Sequence, residues 1–503
     1  MRIGIDLGTT NTVVSYITDE WEWKLLEFTE SGRNEDKYLL PSAIANIDGK
    51  IVVGQKALDY EKKHPECFMS NKKRFMGQRY NNFFAGRNFG PEDIAKEILR
   101  EVRRQLGHTF QNEKEFKAFI TVPAGFDMLA RQATKTSLVE SGFKIDESCL
   151  TDEPISAAVA YSEKIEKDRY ILVVDIGGGT FDLAVLRTSA ISDSSITDKL
   201  IPIATGCDMS QGYELGGDYI DAIILKDMVK KLNDTNAFVR NVEVDAVTER
   251  DRYIIAELKS HILGIKKGLY SDKRVGRTAI KTNDYRLNYE LLETDYMKMM
   301  KNIAEGFNAV IDNTFVGRGI TTGDIDHVLV VGGMSREICL NSILRSKFGE
   351  DRIIVPENGM YLVSKGAAIC NNDAHVHVES IANSSIGMLI NRGCGVETFI
   401  HENEKLKDVQ RKRFRHKIAE ASASAVNVII VEYRGKFDPD RCIRIFEETL
   451  LLNIKQNRLL NVFRKDKRPE LKFEMNIGED KILEVYVDVG NGKKEKLEFR
   501  MKE

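Results

Sequence analysis

Three short glycine-rich segments, each preceded by a short apolar run, constrain the fold of this chain more than any other feature. They read Asp6-Leu7-Gly8-Thr9-Thr10-Asn11, Asp175-Ile176-Gly177-Gly178-Gly179-Thr180 and Val331-Gly332-Gly333-Met334-Ser335-Arg336. Glycine lets backbone N–H groups approach an anion without a Cβ in the way, and the hydroxyls add donors. The order and spacing of these segments predict phosphate-binding turns in a nucleotide cleft between two lobes.

A carboxylate stands at the strand end two positions before the first glycine in the first two segments. A carboxylate beside a polyphosphate is repelled unless a cation lies between them. Asp6 and Asp175 therefore predict Mg²⁺, held through water because this ion dehydrates reluctantly. The alternative is that both carboxylates only cap the turns that follow them.

Composition favours no particular partner, because 74 basic and 77 acidic residues leave a formal charge of −3. The 503 residues exceed what one hydrophobic core supports, so several domains are expected. No stretch has the ~20 apolar residues of a membrane span, and seven scattered cysteines fit reduced thiols. We predict a cytoplasmic protein with no membrane partner.

The pattern of apolar residues divides the chain. Strand-like runs alternate with helical stretches over residues 1–371, which predicts an α/β domain with a weak internal duplication. Within it, the stripe from Leu292 to Val310 steps at helical spacing and predicts one helix with a buried face. Residues 372–385 are polar and predict a linker. Alternating runs over 386–503, with a hairpin turn at 488–492, predict a separate β-sandwich.

Further segments stand in a fixed order between the glycine turns. They are Asn71-Lys72-Lys73-Arg74-Phe75-Met76-Gly77, Ile120-Thr121-Val122-Pro123-Ala124, Arg131-Gln132-Ala133-Thr134, Thr151-Asp152-Glu153-Pro154 and Gly212-Tyr213-Glu214-Leu215-Gly216-Gly217-Asp218. Over nearly its full length the chain resembles the seventy-kilodalton heat-shock (DnaK-type) chaperone family of actin-like ATPases. The resemblance implies an α/β actin-like two-lobed ATPase domain, with a ribonuclease H-like duplicated fold, followed by a β-sandwich domain without the family's helical lid.

The resemblance also assigns roles around the phosphates. It places Lys73 beside the γ-phosphate and lets Glu153 position the Mg²⁺ water shell or the attacking water, with Asp175 and Thr180 completing the catalytic set. Asp6, Asp175 and Glu153 are the expected Mg²⁺ residues, and Asp182 joins the acidic set. The expected phosphate contacts are Gly8, Thr9, Thr10, Asn11, Gly177, Gly178, Gly179, Gly216 and Gly217. The alternatives are a solvated basic trio around Lys73 and an ordinary helix start at Glu153.

On the adenosine side the resemblance assigns Lys266, Gly332, Gly333 and Arg336. Two departures from the family lie there. No acid precedes the basic pair by three positions in the stretch His261-Ile262-Leu263-Gly264-Ile265-Lys266-Lys267, and Met360 stands six positions before Gly366, where the family has an acid. We therefore predict weaker ATP affinity with intact phosphate chemistry.

The C-terminal domain resembles the family's peptide-binding domain more loosely. Phe414 and Val426 fall near positions that would line a peptide groove, although a sandwich core is an equal interpretation. The basic run 410–417 indicates a solvated edge strand, or a groove for acidic clients, more than a nucleic-acid site. The linker segment Ala374 to Glu379 lacks the family's apolar pattern, which predicts altered coupling between the domains.

The leading functional hypothesis is an ATP-hydrolysing, chaperone-like protein that binds ATP and Mg²⁺ and holds unfolded or extended peptide segments. A J-domain-type co-chaperone or an exchange factor is a further expected partner, whereas nucleic acid is not. A second hypothesis is a nucleotide-gated scaffold that binds one dedicated partner with little turnover. A third is a small-molecule kinase of the same superfold, for which the sequence offers no recognisable acceptor pocket.

Overall fold

A computed structural model describes most of the chain. The described residues are 1–80, 82–166, 168–189, 198–236, 239, 241–245, 248–372, 376–390, 393–409, 412–418, 424–452, 470–489 and 494–499. The described residues leave out 373–375 of the predicted linker, 410–411 of the basic run and 490–492 of the predicted turn.

Two lobes make up the N-terminal part. The strands of lobe I are Arg2–Leu7, Asn11–Ile17, Trp23–Leu25, Leu40–Pro41, Ala43–Ile47, Lys50–Val53, Phe68–Ser70, Phe83–Phe84, Arg87–Asn88, Lys117–Val122 and Leu150–Asp152. Its helices are Gln55–Glu61, Pro91–Thr109, Met128–Glu140 and Glu153–Tyr161. The strands of lobe II are Tyr170–Ile176, Phe181–Ser189, Asp198–Cys207, Val275–Lys281, Arg286–Leu292, His327–Val331, Ile353–Ile354 and Val376–Val378. Its helices are Gly217–Thr235, Glu249–Leu269, Glu293–Met299, Lys301–Phe315, Ile338–Phe348 and Leu362–Asn372.

The central sheets of the two lobes repeat one topology. In lobe I the first strand, Arg2–Leu7, pairs antiparallel with the next strand and parallel with Lys117–Val122. In lobe II, Tyr170–Ile176 pairs antiparallel with the next strand and parallel with His327–Val331. Both central strands are buried apolar runs that end in an aspartate and a glycine turn. The duplicated α/β fold is therefore confirmed, and it places the first two glycine turns at equivalent strand ends.

Close helix packing joins the lobes at the base of the cleft. Helix Leu362–Asn372 packs on helix Glu153–Tyr161 and on strand Arg2–Leu7. A Cβ on Gly366 would overlap the Ser156 carbonyl, and a Cβ on Gly4 would overlap the backbone of Ala368. Only glycine permits these approaches, so Gly4 and Gly366 allow the helix to pack closely on its two neighbours.

The predicted helix across residues 292–310 is wrong in part. One helix ends at Met299 and another begins at Lys301, with Met300 between them. Leu292 is the last residue of a strand and is exposed, whereas Tyr296, Ile303, Phe307 and Val310 are buried as predicted. The two helices follow each other so closely that the apolar spacing runs through the break.

The C-terminal domain consists of two facing sheets. Its strands are Ser385–Ile390, Gly395–Ile400, Lys412–Lys417, Ala425–Tyr433, Ile443–Leu451, Glu470–Ile477, Leu483–Asp488 and Lys494–Lys496, with a short helix at Leu406–Val409. All neighbouring strands pair antiparallel, and one hydrophobic core lies between the sheets. The β-sandwich is therefore confirmed as the fold of this part.

Part of the predicted linker forms a strand. Val376–Val378 pairs in parallel with Asp198–Leu200 and so extends the lobe II sheet by one edge strand. Glu379 follows it and is buried, with its carboxylate 2.8 Å from the ammonium groups of Lys405 and Lys407. Residues 376–379 are thus held by contacts to lobe II and to Lys405 and Lys407, while the domain limits 1–371 and 386–503 stay predictions.

Two further observations concern the chain as a whole. Among the described residues, none of the helices combines the length and apolar character that crossing a lipid bilayer requires. All seven cysteines fall within the described residues, and none of them forms a disulfide.

Candidate functional site

The first two glycine turns face each other across the cleft. A Cβ on Gly178 would overlap the Thr10 hydroxyl, and a Cβ on Gly179 would overlap the Thr9 hydroxyl. These glycines therefore let the lobes meet while leaving backbone N–H groups open to an anion. The structure thus brings the predicted phosphate turns of both lobes together.

A third backbone segment covers the lobe II turn. Gly217 N–H donates to the Gly177 carbonyl at 3.0 Å, and Asp218 N–H donates to the Gly178 carbonyl at 2.7 Å. The helix Gly217–Thr235 begins here, so its positive end lies beside the glycine turn. Gly216 and Gly217 are therefore placed beside the phosphate turn, and a helix N-terminus of this kind suits an anion.

Four acidic side chains converge under the turns. Glu153, Asp175 and Asp182 are buried, and Asp175 lies directly opposite Asp182 on the neighbouring strand. Burial raises the pKa of Asp6 to about 7, and the Glu153 charge adds to the shift. Burial likewise raises the pKa values of Asp175 and Asp182 well above the ordinary range, and Glu153 raises both further.

Lys73 is the cation among these acids. It is buried, and its ammonium group donates to a Glu153 carboxylate oxygen. Burial alone would lower its pKa, but Glu153 and Asp6 raise the pKa of Lys73 above its ordinary value. The Lys73 side chain is therefore held charged next to the phosphate turns.

This donor set fits a divalent cation. Four carboxylates face one ammonium group, and Asp182 Oδ2 has no hydrogen-bond partner among the described residues. Asp6, Asp175 and Glu153 would hold Mg²⁺, which ordinarily keeps several waters. Within the described part of the chain, no three His, Cys, Asp or Glu side chains form a ready set of direct metal ligands.

Two residues that sequence reasoning missed tie the lobes together at the turn. Arg74 donates to the Gly179 carbonyl at 2.5 Å and to Asp208 Oδ2 at 2.9 Å. Asp208 is fully buried and also accepts from the N–H of Leu215 at 3.0 Å. Arg74 is adjacent to Lys73, which was the only available signal, while nothing near Asp208 indicates its role.

Other contacts brace the lobe I turn. Asn71 donates to the Gly8 carbonyl at 3.2 Å, and Arg33 donates to the Asn11 side-chain oxygen at 3.1 Å. Thr10 donates to Asp218 Oδ1 at 3.3 Å, which links the turn to the start of the lobe II helix. The segment 71–77 therefore supports both phosphate turns.

The adenosine-side residues lie on the third turn and on the helix opposite. Gly332 has φ +88°, a left-handed value that favours glycine, and Met334 N–H donates to the Ile176 carbonyl at 3.1 Å. Lys266 is buried, with its ammonium group 2.5 Å from Asp221 Oδ1 and 3.4 Å from Met334 Sδ. Gly333 and Arg336 are exposed.

Contacts at residues 35 and 36 close one side of the cleft. Glu35 of lobe I forms an ion pair with Lys267 of lobe II. The neighbouring Asp36 accepts a hydrogen bond from the Tyr361 hydroxyl of lobe II. Both cross-cleft contacts lie on the side of the basic pair Lys266-Lys267.

The two groove candidates lie against the sandwich core. Phe414 stacks between Phe399 and Phe473, with ring centroids 3.9 and 4.6 Å away. Val426 packs against the same core. This placement matches the core interpretation, and a role in peptide binding stays a prediction. The basic strand Lys412–Lys417 pairs on one side with Glu470–Ile477, and no described strand pairs with its other side.

The sequence pattern of the two lobes matches a known protein family. A family model described as Hsp70 protein matches residues 2–389. The chain belongs to the Hsp70 family. The predicted family is thereby confirmed, and Hsp70 members are ATPases that typically use Mg²⁺ and bind peptide substrates and co-chaperones. The match ends within the first strand of the sandwich, so it covers the lobes and not the rest of the C-terminal domain.

Proposed function

We propose that this Hsp70-family chain binds Mg²⁺–ATP between its lobes and hydrolyses it slowly to ADP and phosphate. The observation that carries the proposal is the meeting of two glycine turns over a buried acidic set that contains one lysine. This combination provides donors for phosphate oxygens and carboxylates for a cation at the same point.

Each group of residues at the site has its own role in the proposed reaction. Backbone N–H groups of both turns and the hydroxyls of Thr9, Thr10 and Thr180 bind phosphate oxygens. The Lys73 ammonium group offsets negative charge that develops during phosphoryl transfer. Glu153, fixed by Lys73, orients the attacking water. Bound Mg²⁺ supplies charge neutralisation at the phosphate oxygens.

The C-terminal sandwich binds extended peptide segments in this proposal. Main-chain hydrogen bonds to an extended segment need no special sequence in the client. Family membership supports this role together with a J-domain-type co-chaperone or an exchange factor as partner.

Single-turnover hydrolysis of ATP tests the enzymatic part. We expect Lys73→Ala to slow phosphate release by about 100-fold or more, as removal of one charge-stabilising donor usually does. ATP affinity should change far less. Lys63→Ala, which changes an exposed lysine of the same lobe, is the control. Hydrolysis by Lys73→Ala at the wild-type rate would contradict the assigned role.

Steady-state turnover with and without an unfolded protein tests the peptide part. Stimulation by unfolded protein is the expected result. Turnover that responds to no unfolded protein or peptide would favour the dedicated scaffold over the chaperone-like function. Phosphate that appears on a small-molecule acceptor and not in water would favour a kinase.

A further inference from the structure

A buried charged cluster joins the C-terminal domain to lobe I. Arg131 donates to Asp152 Oδ1 at 2.5 Å, and Lys481 of the C-terminal domain donates to Asp152 Oδ2 at 2.7 Å. Asn383 donates to the same Asp152 oxygen at 3.0 Å and accepts from Lys481 at 2.7 Å. The relative exposure of these residues ranges from 0% at Asp152 to 6% at Lys481 and Asn383. We call these four residues the Asp152 cluster.

The Asp152 cluster lies one residue from the proposed catalytic group. Asp152 ends strand Leu150–Asp152, and Glu153 is the first residue of the next helix. Pro154 follows and restricts the backbone of that turn. A displacement of Asp152 therefore moves Glu153, whose carboxylate accepts from Lys73.

The buried positive charge of Lys481 has Asp152 as its counter-charge. Two cations share one carboxylate in a buried site, and a buried charge without a partner is costly. Burial opposes ionisation of Asp152, but Arg131 and Lys481 hold its pKa well below the usual range. Lys481 also has φ +61°, a left-handed value that is unfavourable for a lysine. Its ammonium group thus occupies this site despite a backbone penalty.

Other contacts hold the same interface without touching Asp152. Lys135 of lobe I pairs with Asp480 at 2.6 Å, one residue before Lys481. Arg434 donates to the Ala124 carbonyl at 3.1 Å, and Met128 N–H donates to Glu432 at 2.8 Å. Loss of Lys481 alone therefore leaves the domains in contact, and Lys135 offers a matched control.

We propose that Lys481 is a positioning residue of the ATPase site, supplied by the C-terminal domain, and that it fixes Glu153 through Asp152. The inference rests on the proposed function, because it assigns Glu153 to ATP hydrolysis.

Steady-state kinetics of the full chain test the proposal. Lys481→Met should lower kcat about tenfold and leave KM within about twofold, because a group that acts through Glu153 affects the transition state and not ATP binding. Lys135→Met, which removes the neighbouring ion pair, should leave kcat unchanged. Equal kcat values in the two variants would overturn the proposal, and so would a rise in kcat of Lys481→Met.

A double variant tests the charge balance. Asp152→Asn should lower kcat more than Lys481→Met does, because it leaves Arg131 and Lys481 without a counter-charge. In Asp152→Asn/Lys481→Met, kcat should return to the level of Lys481→Met, since the amide oxygen of the substituted side chain still accepts a hydrogen bond from Arg131. Additive losses in the double variant would show that Lys481 and Asp152 act independently and would overturn the proposal.

Hydrogen exchange provides a readout that does not require turnover. Backbone amides of residues 150–161 should exchange faster in Lys481→Met than in the wild type, with no change in Lys135→Met. If the wild type fails to hydrolyse ATP, the proposed function is wrong. The exchange rates in Lys481→Met and Lys135→Met still decide whether Lys481 positions the segment that contains Glu153. Equal exchange of residues 150–161 in both variants would overturn it.

Discussion

Burial is the main cause of the raised pKa values of Asp6, Asp175 and Asp182, and the charge of Glu153 is the next cause in all three. Glu153→Gln keeps a side-chain oxygen that can accept from Lys73 but removes that charge. We expect hydrolysis to slow by about 100-fold through loss of water positioning, on the scale of other proton-handling groups. Single-turnover measurement of phosphate release checks this. Glu147→Gln, at an exposed position before the strand Leu150–Asp152, should turn over like the wild type.

The buried charge of Lys481 predicts a pH-dependent stability. Burial, helped by the charges of Arg131 and Arg434 and opposed by that of Asp152, lowers the pKa of Lys481 from 10.5 to about 8. Between these pH values the unfolded chain binds more protons at Lys481 than the folded chain does. Its contribution to the free energy of unfolding therefore rises with pH, by roughly 2 kcal/mol up to pH 9.5.

Denaturant unfolding of the wild type and of Lys481→Met, at pH 7.5 and pH 9.5, checks this prediction. The difference in unfolding free energy between the two proteins should shift toward the wild type at the higher pH. A pH-independent difference would show that Lys481 titrates near its ordinary pKa in the folded chain.

Single residues were predictable where the chemistry is local. Asp6 and Asp175 stand two positions before the glycines of their turns, so their placement beside the turns followed from the local sequence. Asp208 and Lys481 carry no such local signal, because their partners Arg74 and Asp152 are 134 and 329 positions away. Long-range pairs of this kind require the fold before they can be recognised.

At the scale of elements, the close packing of two helices at Gly366 predicts that alanine at this position destabilises the fold. Gly366→Ala adds a Cβ that overlaps the Ser156 carbonyl of the neighbouring helix. We expect it to reduce the free energy of unfolding by about 2–3 kcal/mol, as overpacking does, although alanine favours helix by about 1 kcal/mol.

Gly107→Ala is the matched control for this effect. Gly107 also lies in a helix, but a Cβ there has nothing within 4 Å, so the variant should be slightly more stable than the wild type. Thermal or denaturant unfolding of both variants gives the comparison. Equal effects would mean that the helices separate readily at Gly366.

Helices and strands were predicted best where the spacing of apolar residues and the residues that end the segment indicate the same element. The central strands of both lobes were evident from apolar runs that end in aspartate and glycine. The break at Met300 was not, because the apolar stripe continues across it, and a two-helix arrangement buries the same side chains. Val376–Val378 was assigned to a linker because strand pairing with Asp198–Leu200 depends on a distant segment.

At the scale of the whole molecule, the cross-cleft contacts predict slow nucleotide release. Tyr361→Phe removes the hydrogen bond to Asp36, and Glu35→Gln removes the charge that pairs with Lys267. Each is expected to speed release of a fluorescent ADP analogue by about 2–5-fold, because one hydrogen bond or one exposed ion pair contributes about 1 kcal/mol or less. Glu290→Gln, which breaks an ion pair with Arg277 within lobe II, should leave the release rate unchanged.

ATP affinity tests the departures from the family on the adenosine side. Leu263→Glu introduces an acid three positions before Lys266 and should raise ATP affinity about fivefold, the contribution of one hydrogen bond. Leu263→Gln controls for size. Calorimetric titration measures both, and a wild-type affinity equal to that of a member with both acids would contradict the prediction of weak binding.

The two-lobed architecture and the sandwich were predictable from the order of motifs and from the change of periodicity near residue 386. How the C-terminal domain contacts the lobes was not. That contact depends on Lys481, Asn383 and Glu432, which stand in the sequence among ordinary strand and turn residues. Their role arises only when Asp152 and Met128 of lobe I lie opposite them.

The Asp152 cluster is buried, so it should respond to ionic strength differently from the contacts at the rim of the cleft. Mobile ions screen charges that they can approach, and the Glu35 and Lys267 side chains are 57% and 60% exposed. Asp152, Arg131 and Lys481 are beyond the reach of the ion atmosphere. Potassium chloride should therefore weaken the Glu35–Lys267 ion pair at the rim of the nucleotide cleft. It should leave the Asp152 cluster, and with it the contact between the sandwich and lobe I, unchanged.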